Sequence, residues 1–258
     1  MDTTKLPEVK IVLLTEFYKS KFEERNKELL DSLQRNIDCE HIKKIVLFYE
    51  NSLDEYPDIA FSPKIEIAYT KSRMKFADYF NYYNSNLSGH ICIIANSDIY
   101  FDDSIKHIHN IRENEFLCIT RWNRNELQGH DEYSQDVWVF RKLIPQKMVD
   151  CSGFYLGKQQ CDNRISFVAM KNGFDLINPC HLVKCQHLHK DPDKITYNKK
   201  ENFKNLLYLS TVKPSDKIEY TENNVCSYWA DSGGTRYCGS WYVNFCRNEL
   251  NDLESNQL

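Results

Sequence analysis

The chain has 258 residues, a formal net charge of −4 and 10 cysteines. This length can bury a sizeable core in one large α/β domain or two small ones, and the mildly acidic balance argues against general nucleic-acid binding, which needs a basic face. No apolar run is long enough to cross a bilayer, and the first residues carry no secretion signal. The expectation is therefore a cytoplasmic protein whose cysteines are reduced and buried.

Strand-like and helix-like segments alternate through the first half of the chain. Residues 9–15 form a nearly continuous apolar run, which is typical of a strand buried on both faces of a parallel sheet. Residues 20–37 place their apolar side chains on one helical face, and residues 43–50 predict a second strand. A third strand is predicted at 64–70 and an aromatic-rich helix at 72–86. Later strands are predicted at 89–96, 116–122, 136–142 and 182–189, with a helix over 161–174.

This alternation predicts a doubly wound, mostly parallel, Rossmann-like α/β sheet. We expect residues 1–195 to form this domain and residues 196–258, which are rich in aromatic residues and cysteine, to pack on it as a C-terminal appendage. In doubly wound sheets, ligands bind outside the carboxyl ends of the strands. Polar residues that directly follow a buried strand are therefore the first candidates for a functional site.

The fourth predicted strand ends in Asn96-Ser97-Asp98. A carboxylate at such a strand end suits a hard divalent cation, Mn²⁺ or Mg²⁺, which can bridge to substrate phosphates. An aspartate that only closes a turn or caps a helix is the alternative, and a short acidic motif does not decide between them.

A second group of polar residues comes later in the chain. Asp162 opens the helix over 161–174, where the amide groups of the first turn stabilise an acid, so helix capping alone is one interpretation. The strand-like segment 182–189 ends with His187 and His189, which point to the same face if the segment is extended. One of them could complete a metal site begun by Asp98.

In this order the motifs resemble the nucleotide-sugar glycosyltransferases of the GT-A fold, especially the inverting, family-2-like enzymes, and are similar to compact transferases encoded by large DNA viruses. Those enzymes carry Asp-x-Asp at the end of the fourth strand, then an acid opening a helix, then a histidine. The resemblance covers roughly residues 9–190. It implies that Asp98 binds the metal with His187 or His189, and that Asp162 is the catalytic base.

The resemblance also implies a nucleotide-diphosphate sugar donor, with a UDP-sugar favoured, and a glycan or another hydroxyl acceptor. Asn96 stands in place of the first acid of the motif, and Cys161 precedes Asp162 where the family has an acidic pair, so only Asp162 can be the base there. Donor-binding residues are expected after the first strand, after the third strand and after the fourth strand: Thr15, Glu16, Tyr18, Arg73, Asn96 and Ser97. Arg73 as a solvated cation at a helix start is the alternative for that residue.

The segment between the metal motif and the base combines planar apolar side chains with groups that bind hydroxyls, as sugars require. The sugar or acceptor pocket is expected at Arg121, Trp122, Gln135 and Asp136. For Trp138, a place in the core is the favoured interpretation.

Two other classes of protein remain open from the sequence. A nucleotidyltransferase on a similar sheet usually has an early loop rich in glycine and basic residues, and residues 15–22 contain no glycine. A zinc-stabilised interaction module could use the Cys and His residues near the end of the domain, but it would lack a paired half such as CxxC. The residues in question are Cys180, His181, Cys185, His187 and His189.

Overall fold

The computed structural model describes residues 8–49, 62–123, 126–127, 134–158, 160–188, 207–221, 224–230 and 236–238. Strands and helices alternate in the first half, as the sequence predicts. In chain order the elements are β1 (Ile11–Phe17), α1 (Glu23–Asp38), β2 (Ile42–Tyr49), β3 (Ile65–Tyr69), α2 (Phe76–Asn86), β4 (Ile91–Ala95), β5 (Ile99–Phe101), a 3-10 helix (Asp103–Asn110), β6 (Glu115–Ile119), β7 (Arg121–Asn123), β8 (Glu126–Leu127), β9 (Val137–Phe140), α3 (Gln146–Asp150), α4 (Cys161–Lys171), β10 (Asp175–Ile177), β11 (Cys185–His187), β12 (Leu207–Val212), β13 (Val225–Ala230) and β14 (Arg236–Cys238).

A seven-stranded sheet with the order β10-β6-β9-β4-β1-β2-β3 forms the centre of the molecule. Its strands pair in parallel except for β9, which is antiparallel to both of its neighbours, β4 and β6. Because β9 runs the opposite way, its amino end lies at the edge where β4 and β6 end. The predicted mostly parallel α/β sheet is confirmed.

Helices cover both faces of this sheet, which explains the continuous apolar runs of its strands. Alternate residues of β1 contribute to different clusters, since Val12 packs on one face and Leu13 on the other. Helix α1 covers the Leu13 face with Leu29. Helices α2 and α4 cover the Val12 face, with Tyr79 and Ile165 among the buried side chains. Because both faces are covered, an apolar side chain at every position of a strand is buried and stabilises the fold.

The chain changes direction across the sheet between β1 and β4, because β2 and β3 lie on one side of β1 and β4 lies on the other. In doubly wound sheets such a switch point opens a crevice outside the carboxyl ends of the two strands. Thr15, which is 5% exposed, joins these ends because its Oγ1 donates to the carbonyl oxygen of Ala95 at 3.1 Å.

A second, four-stranded sheet with the order β5-β11-β7-β8 borders the same edge. Strand β11 is antiparallel to β5 and parallel to β7. This register places His187 opposite Ile99, the residue after Asp98, and beside Asn123. The small sheet thereby brings the end of β11 to the end of β4.

Two local predictions need correction. Strand β1 extends to Phe17, so Thr15 and Glu16 belong to the strand, because its pairing with β2 continues to Phe17 and Tyr49. The single strand predicted at 116–122 is two strands, since β6 ends at Ile119 and β7 belongs to the second sheet.

The C-terminal part contributes the antiparallel sheet β12-β13-β14. The side chain of Val212 is buried in the apolar cluster that includes α4, and the buried Asn178 donates from Nδ2 to the Val212 carbonyl oxygen at 3.0 Å. The predicted boundary at 195/196 lies outside the described residues. Among the described elements, no helix is long and apolar enough to cross a membrane. Six described cysteines are buried: Cys39, Cys92, Cys118, Cys161, Cys180 and Cys185.

Asn36 of α1 ties that helix to β5, the strand that follows Asp98. Its Nδ2 donates to the carbonyl oxygen of Ile99 at 2.8 Å, and its Oδ1 accepts from the amide of Phe101 at 3.2 Å. Asn36 is only 3% exposed, so water cannot replace these bonds.

We expect Asn36→Ala to lower the free energy of unfolding by about 2–4 kcal/mol, because it leaves two buried backbone groups unpaired. Urea denaturation of the variant and the wild type measures the difference. Gln34→Ala, on the exposed side of the same helix, is the matched control and should change stability by less than about 0.5 kcal/mol. Equal stability of the two variants would show that Asn36 does not hold β5.

Candidate active site

Asp98 lies just after β4, at the switch point, and is 6% exposed. Its Oδ2 accepts from Nη2 of Arg25 at 2.7 Å and lies 3.1 Å from Nε2 of His187. Burial by itself would raise the pKa of Asp98, but the hydrogen bonds and charges of His187 and Arg25 outweigh burial and hold it well below its usual value. Asp98 is therefore a buried carboxylate that stays ionised.

His187 is held between two oxygen atoms. Its Nδ1 lies 3.0 Å from Oδ1 of Asn123, and its Nε2 lies 3.1 Å from Oδ2 of Asp98. A ring nitrogen and a carboxylate oxygen thus lie within hydrogen-bond distance of each other, and the other ring nitrogen is held by Asn123.

This donor set fits Mn²⁺ or Mg²⁺. A carboxylate oxygen and an imidazole nitrogen converge, and the amide of Asn123 orients the ring from behind, as partners of metal-binding histidines do. Within the described ranges, no group of three or more His, Cys, Asp or Glu residues could hold a metal ion. Substrate oxygens and water would have to supply the other ligands, as is common for Mg²⁺ at phosphate sites. His189 lies outside the described residues.

The residues of the zinc-module alternative do not converge in the described part of the chain. Cys180 and Cys185 are fully buried, and Cys185 Sγ lies 3.3 Å from the carbonyl oxygen of Thr120. His181 is exposed. Structural zinc sites need four converging ligands, and this arrangement does not provide them among the described residues.

Arg25 is a site residue that the sequence did not reveal. It is the third residue of α1, and its guanidinium also contacts Oε2 of the buried Glu28 through Nη1 at 3.2 Å. Burial lowers the pKa of Arg25, but Asp98 and the Tyr18 hydroxyl raise it by more, so this cation stays charged. The only signal in the sequence is a basic residue in the first turn of a helix, where the macrodipole favours acids.

A second polar cluster joins Arg121 and Asp136 of the predicted pocket to Asn96, a predicted donor-binding residue. Asn96 donates from Nδ2 to Oδ1 of Asp136 at 2.5 Å, and Nη1 of Arg121 lies 3.2 and 3.1 Å from the two carboxylate oxygens of Asp136. Asp136 is 6% exposed and directly precedes β9. The antiparallel direction of β9 is what carries Asp136 to the end of β4, where the amide of Asn96 donates to its carbonyl oxygen at 3.2 Å.

Asp162 is the second residue of α4, and its Oδ2 accepts from the backbone amide of Gln135 at 3.3 Å. Burial raises the pKa of Asp162 to about 7, and the charge of Asp136 adds to this effect. Amide groups of Asn163, Gln135 and Asp162 itself lower the pKa but do not offset burial. The carboxyl group thus contacts first-turn amides, as a cap would, and also has the proton affinity of a general base.

Glu16 and Arg73 are fixed at the other side of the switch point. Oε1 of Glu16 accepts from the amide of Met74 at 2.6 Å, and Nη2 of Arg73 donates to the carbonyl oxygen of Leu156 at 2.5 Å. The Arg73 side chain is 45% exposed. One nitrogen of the Arg73 guanidinium is therefore fixed, while the side chain remains accessible to a ligand.

Gly157 closes this side of the site. Its φ is +70°, and a Cβ there would lie 2.8 Å from Nη2 of Arg73 and 3.8 Å from Oδ1 of Asn96. A side chain here would be strained by the positive φ and would have to displace the end of the Arg73 side chain. The segment 152–158 therefore packs its backbone directly against two of the predicted donor-binding residues.

The remaining predicted residues take different positions. Trp122 faces away from the cluster, because neighbouring strand residues alternate: Arg121 and Asn123 reach the site, while Nε1 of Trp122 donates to the Cys180 carbonyl oxygen at 2.8 Å. Gln135 is 2% exposed, Ser97 lies half-buried in the turn after β4, and Tyr18 is 39% exposed near Arg25. The core interpretation of Trp138 is confirmed, since it is fully buried.

No protein-family model and no curated protein matches the sequence. Solved structures similar to this chain include mannosyltransferase PcManGT from Pyrobaculum calidifontis in complex with GDP-Man and Mn²⁺ (12% identity, TM-score 0.47, 73% of this chain and 58% of that chain). They also include S. aureus TarS (11% identity, TM-score 0.46, 70% and 37%) and GalNAc-T7 with UDP, GalNAc and Mn²⁺ (9% identity, TM-score 0.46, 70% and 44%). This chain thus spans little more than half of the first and less than half of the other two. At these TM-scores the fold class rests on the strand order, and the chemistry rests on the residues above.

The raised pKa of Asp162 predicts a pH-dependent effect on stability. An unfolded aspartate ionises near pH 3.9 and the folded one near pH 7, so the native state loses stability as the pH rises between these values. Asp162→Asn does not titrate. We therefore expect the melting temperature of this variant to rise relative to that of the wild type from about pH 4 to pH 7. The difference should stay constant at higher pH.

Differential scanning calorimetry across this pH range measures the effect. Asp31→Asn, an exposed change in α1, is the control and should show a constant offset from the wild type. The same constant offset for Asp162→Asn would mean that the folded carboxyl group titrates normally.

Proposed function

We propose that the protein is a metal-dependent glycosyltransferase that moves a sugar from a nucleotide-diphosphate sugar to a hydroxyl acceptor with inversion. The observation that carries the proposal is that a buried carboxyl group and a half-buried one, with opposite properties, lie at one edge of the sheet. Asp98 stays ionised beside a histidine, and Asp162 has a pKa of about 7. A chain of contacts connects the two. The amide of Gln135, the residue before Asp136, donates to Asp162. Asp136 in turn accepts from Asn96, which is two residues from Asp98.

The donor would lie between β1, β4 and the segment 152–158. Asp98 and His187 are the residues that would hold Mn²⁺ or Mg²⁺, which when bound neutralises charge on the diphosphate leaving group. Arg73 and Asn96 both lie beside Gly157, where they could bind the phosphates and the ribose. Tyr18 offers a partly exposed ring on which the nucleobase of the donor could stack. A UDP-sugar is the favoured donor.

Asp162 is the best candidate for the base. Both oxygens of Asp136 are bound by Arg121, whereas Asp162 has a pKa suited to proton transfer at neutral pH. Ionised Asp162 takes the proton of the acceptor hydroxyl while that oxygen bonds to the anomeric carbon. The bond from this carbon to the diphosphate oxygen breaks in the same step. A single displacement inverts the centre, so an α-linked donor gives a β-linked product.

We also propose that the enzyme is family-2-like and akin to viral transferases, and that it transfers a hexose or a pentose. Its proposed location is the cytoplasm, and it is proposed not to bind nucleic acid. Arg121 and Gln135 are proposed to line the sugar or acceptor pocket next to Asp136. Trp122 would contribute only indirectly, through the strand that carries Arg121 and Asn123.

The first test concerns donor binding. We expect UDP or one of a panel of nucleotide sugars to bind in the presence of Mn²⁺, and Asp98→Asn to weaken this binding at least about tenfold, because the carboxylate charge is lost. Titration calorimetry with and without Mn²⁺ measures it. Asp103→Asn, an exposed change of the same charge near the site, is the control and should bind like the wild type. Unchanged Mn²⁺-dependent affinity in Asp98→Asn would remove Asp98 from the metal site.

The second test concerns the base. We expect Asp162→Asn to bind donor normally and to lose on the order of a hundred- to ten-thousand-fold in turnover, measured as sugar transfer from the best donor to simple glycosides. In the wild type, kcat/KM should fall as the pH drops below about 7, because protonated Asp162 cannot accept a proton. Near-wild-type transfer by Asp162→Asn would place the base elsewhere. Pyrophosphate formed from a nucleoside triphosphate and a sugar phosphate would favour the nucleotidyltransferase alternative instead.

A further inference from the structure

Arg25 already supplies a cation where the proposed metal would bind. Its Nη2 lies 2.7 Å from Oδ2 of Asp98, the same oxygen that faces Nε2 of His187 at 3.1 Å. The Arg25 side chain is 20% exposed and that of Asp98 is 9% exposed, so water screens the pair only weakly. The charge of Asp98 is therefore largely balanced within the protein.

A second anchor lets the guanidinium move without losing every partner. Nη1 of Arg25 contacts Oε2 of Glu28 at 3.2 Å, and Tyr18, which is partly exposed, adds a hydrogen bond. Arg25 could therefore release Asp98 and remain paired with Glu28. The guanidinium contacts Asp98, which directly follows β4, so it lies next to the edge where the donor diphosphate would bind.

We propose that Arg25 makes metal binding depend on the nucleotide diphosphate. While the guanidinium is bound to Asp98, the carboxylate is neutralised and Arg25 repels a divalent cation. The cation therefore binds weakly to the protein without nucleotide. The diphosphate adds negative charge that attracts both cations, and Arg25 then shifts from Asp98 toward the phosphate oxygens. This inference rests on the metal site of the proposed function.

The charge removed by Arg25→Gln determines the expected effect. Even with the screening of bulk water, one unit charge about 5 Å from a divalent ion changes its affinity by about tenfold, and the weaker screening at this site makes that a lower bound. We therefore expect Arg25→Gln to bind Mn²⁺ without nucleotide at least about tenfold more tightly than the wild type, and UDP to strengthen Mn²⁺ binding less than it does in the wild type.

Electron paramagnetic resonance of unbound Mn²⁺, with and without UDP, measures these affinities directly. Lys27→Gln is the matched control, because Lys27 lies on the same helix, pairs with Glu23 at 3.5 Å and is 69% exposed; it should behave like the wild type. Arg25→Met, which also removes the charge, is a second variant for the case that Arg25→Gln does not fold. Methionine is uncharged and keeps an unbranched side chain, so we expect tighter Mn²⁺ binding than in the wild type here too.

Two outcomes would overturn the inference in distinguishable ways. If both Arg25 variants that fold bind Mn²⁺ alone no more tightly than the wild type, while Asp98→Asn abolishes Mn²⁺ binding in the presence of UDP, Arg25 does not compete with the metal and the proposed function stands. If Asp98→Asn leaves Mn²⁺ binding in the presence of UDP unchanged, there is no metal site at Asp98 and both proposals fail.

Discussion

The buried carboxylate of Asp98 is the constraint on which the arrangement of the site depends. An ionised carboxylate that is 6% exposed is costly unless charged partners and hydrogen bonds compensate for lost water. Those partners come from two other elements, Arg25 from α1 and His187 from β11. One charge therefore ties the helix on one face of the central sheet, the switch point and the second sheet into a single arrangement.

The carboxyl group of Asp162, which is half-buried, has the opposite surroundings. Asp162 receives amide hydrogen bonds, but burial and the nearby Asp136 both disfavour its ionised form. Asp98 is thereby kept as an anion, while Asp162 can gain and lose a proton near neutral pH. Two carboxyl groups whose surroundings separate their pKa values in this way suit an electrostatic and a proton-transfer role at one site.

Several features of the site could be predicted because they follow from local pattern. The apolar run at residues 91–95 predicts a buried strand, and Asn96-Ser97-Asp98 after it predicts polar groups at a ligand-binding edge. The histidines that follow in a strand-like segment predict a partner for Asp98, and the structure brings His187 to it. Trp122 shows the limit of such patterns, since its type suits a sugar pocket but the alternation of β7 turns it away from the polar cluster.

The sequence by itself determined the periodic elements, the α/β class and the carboxylates that follow a strand or open a helix. These features depend on the spacing of side chains over a few residues, which can be read from the sequence. Only the tertiary structure decided that Arg25 meets Asp98 across 73 residues, that His187 meets it across 89, and that the reversed β9 carries Asp136 to Asn96. Such contacts depend on strand order and register. A buried charge is stabilised by whichever partner the fold brings next to it, and local periodicity does not specify that partner.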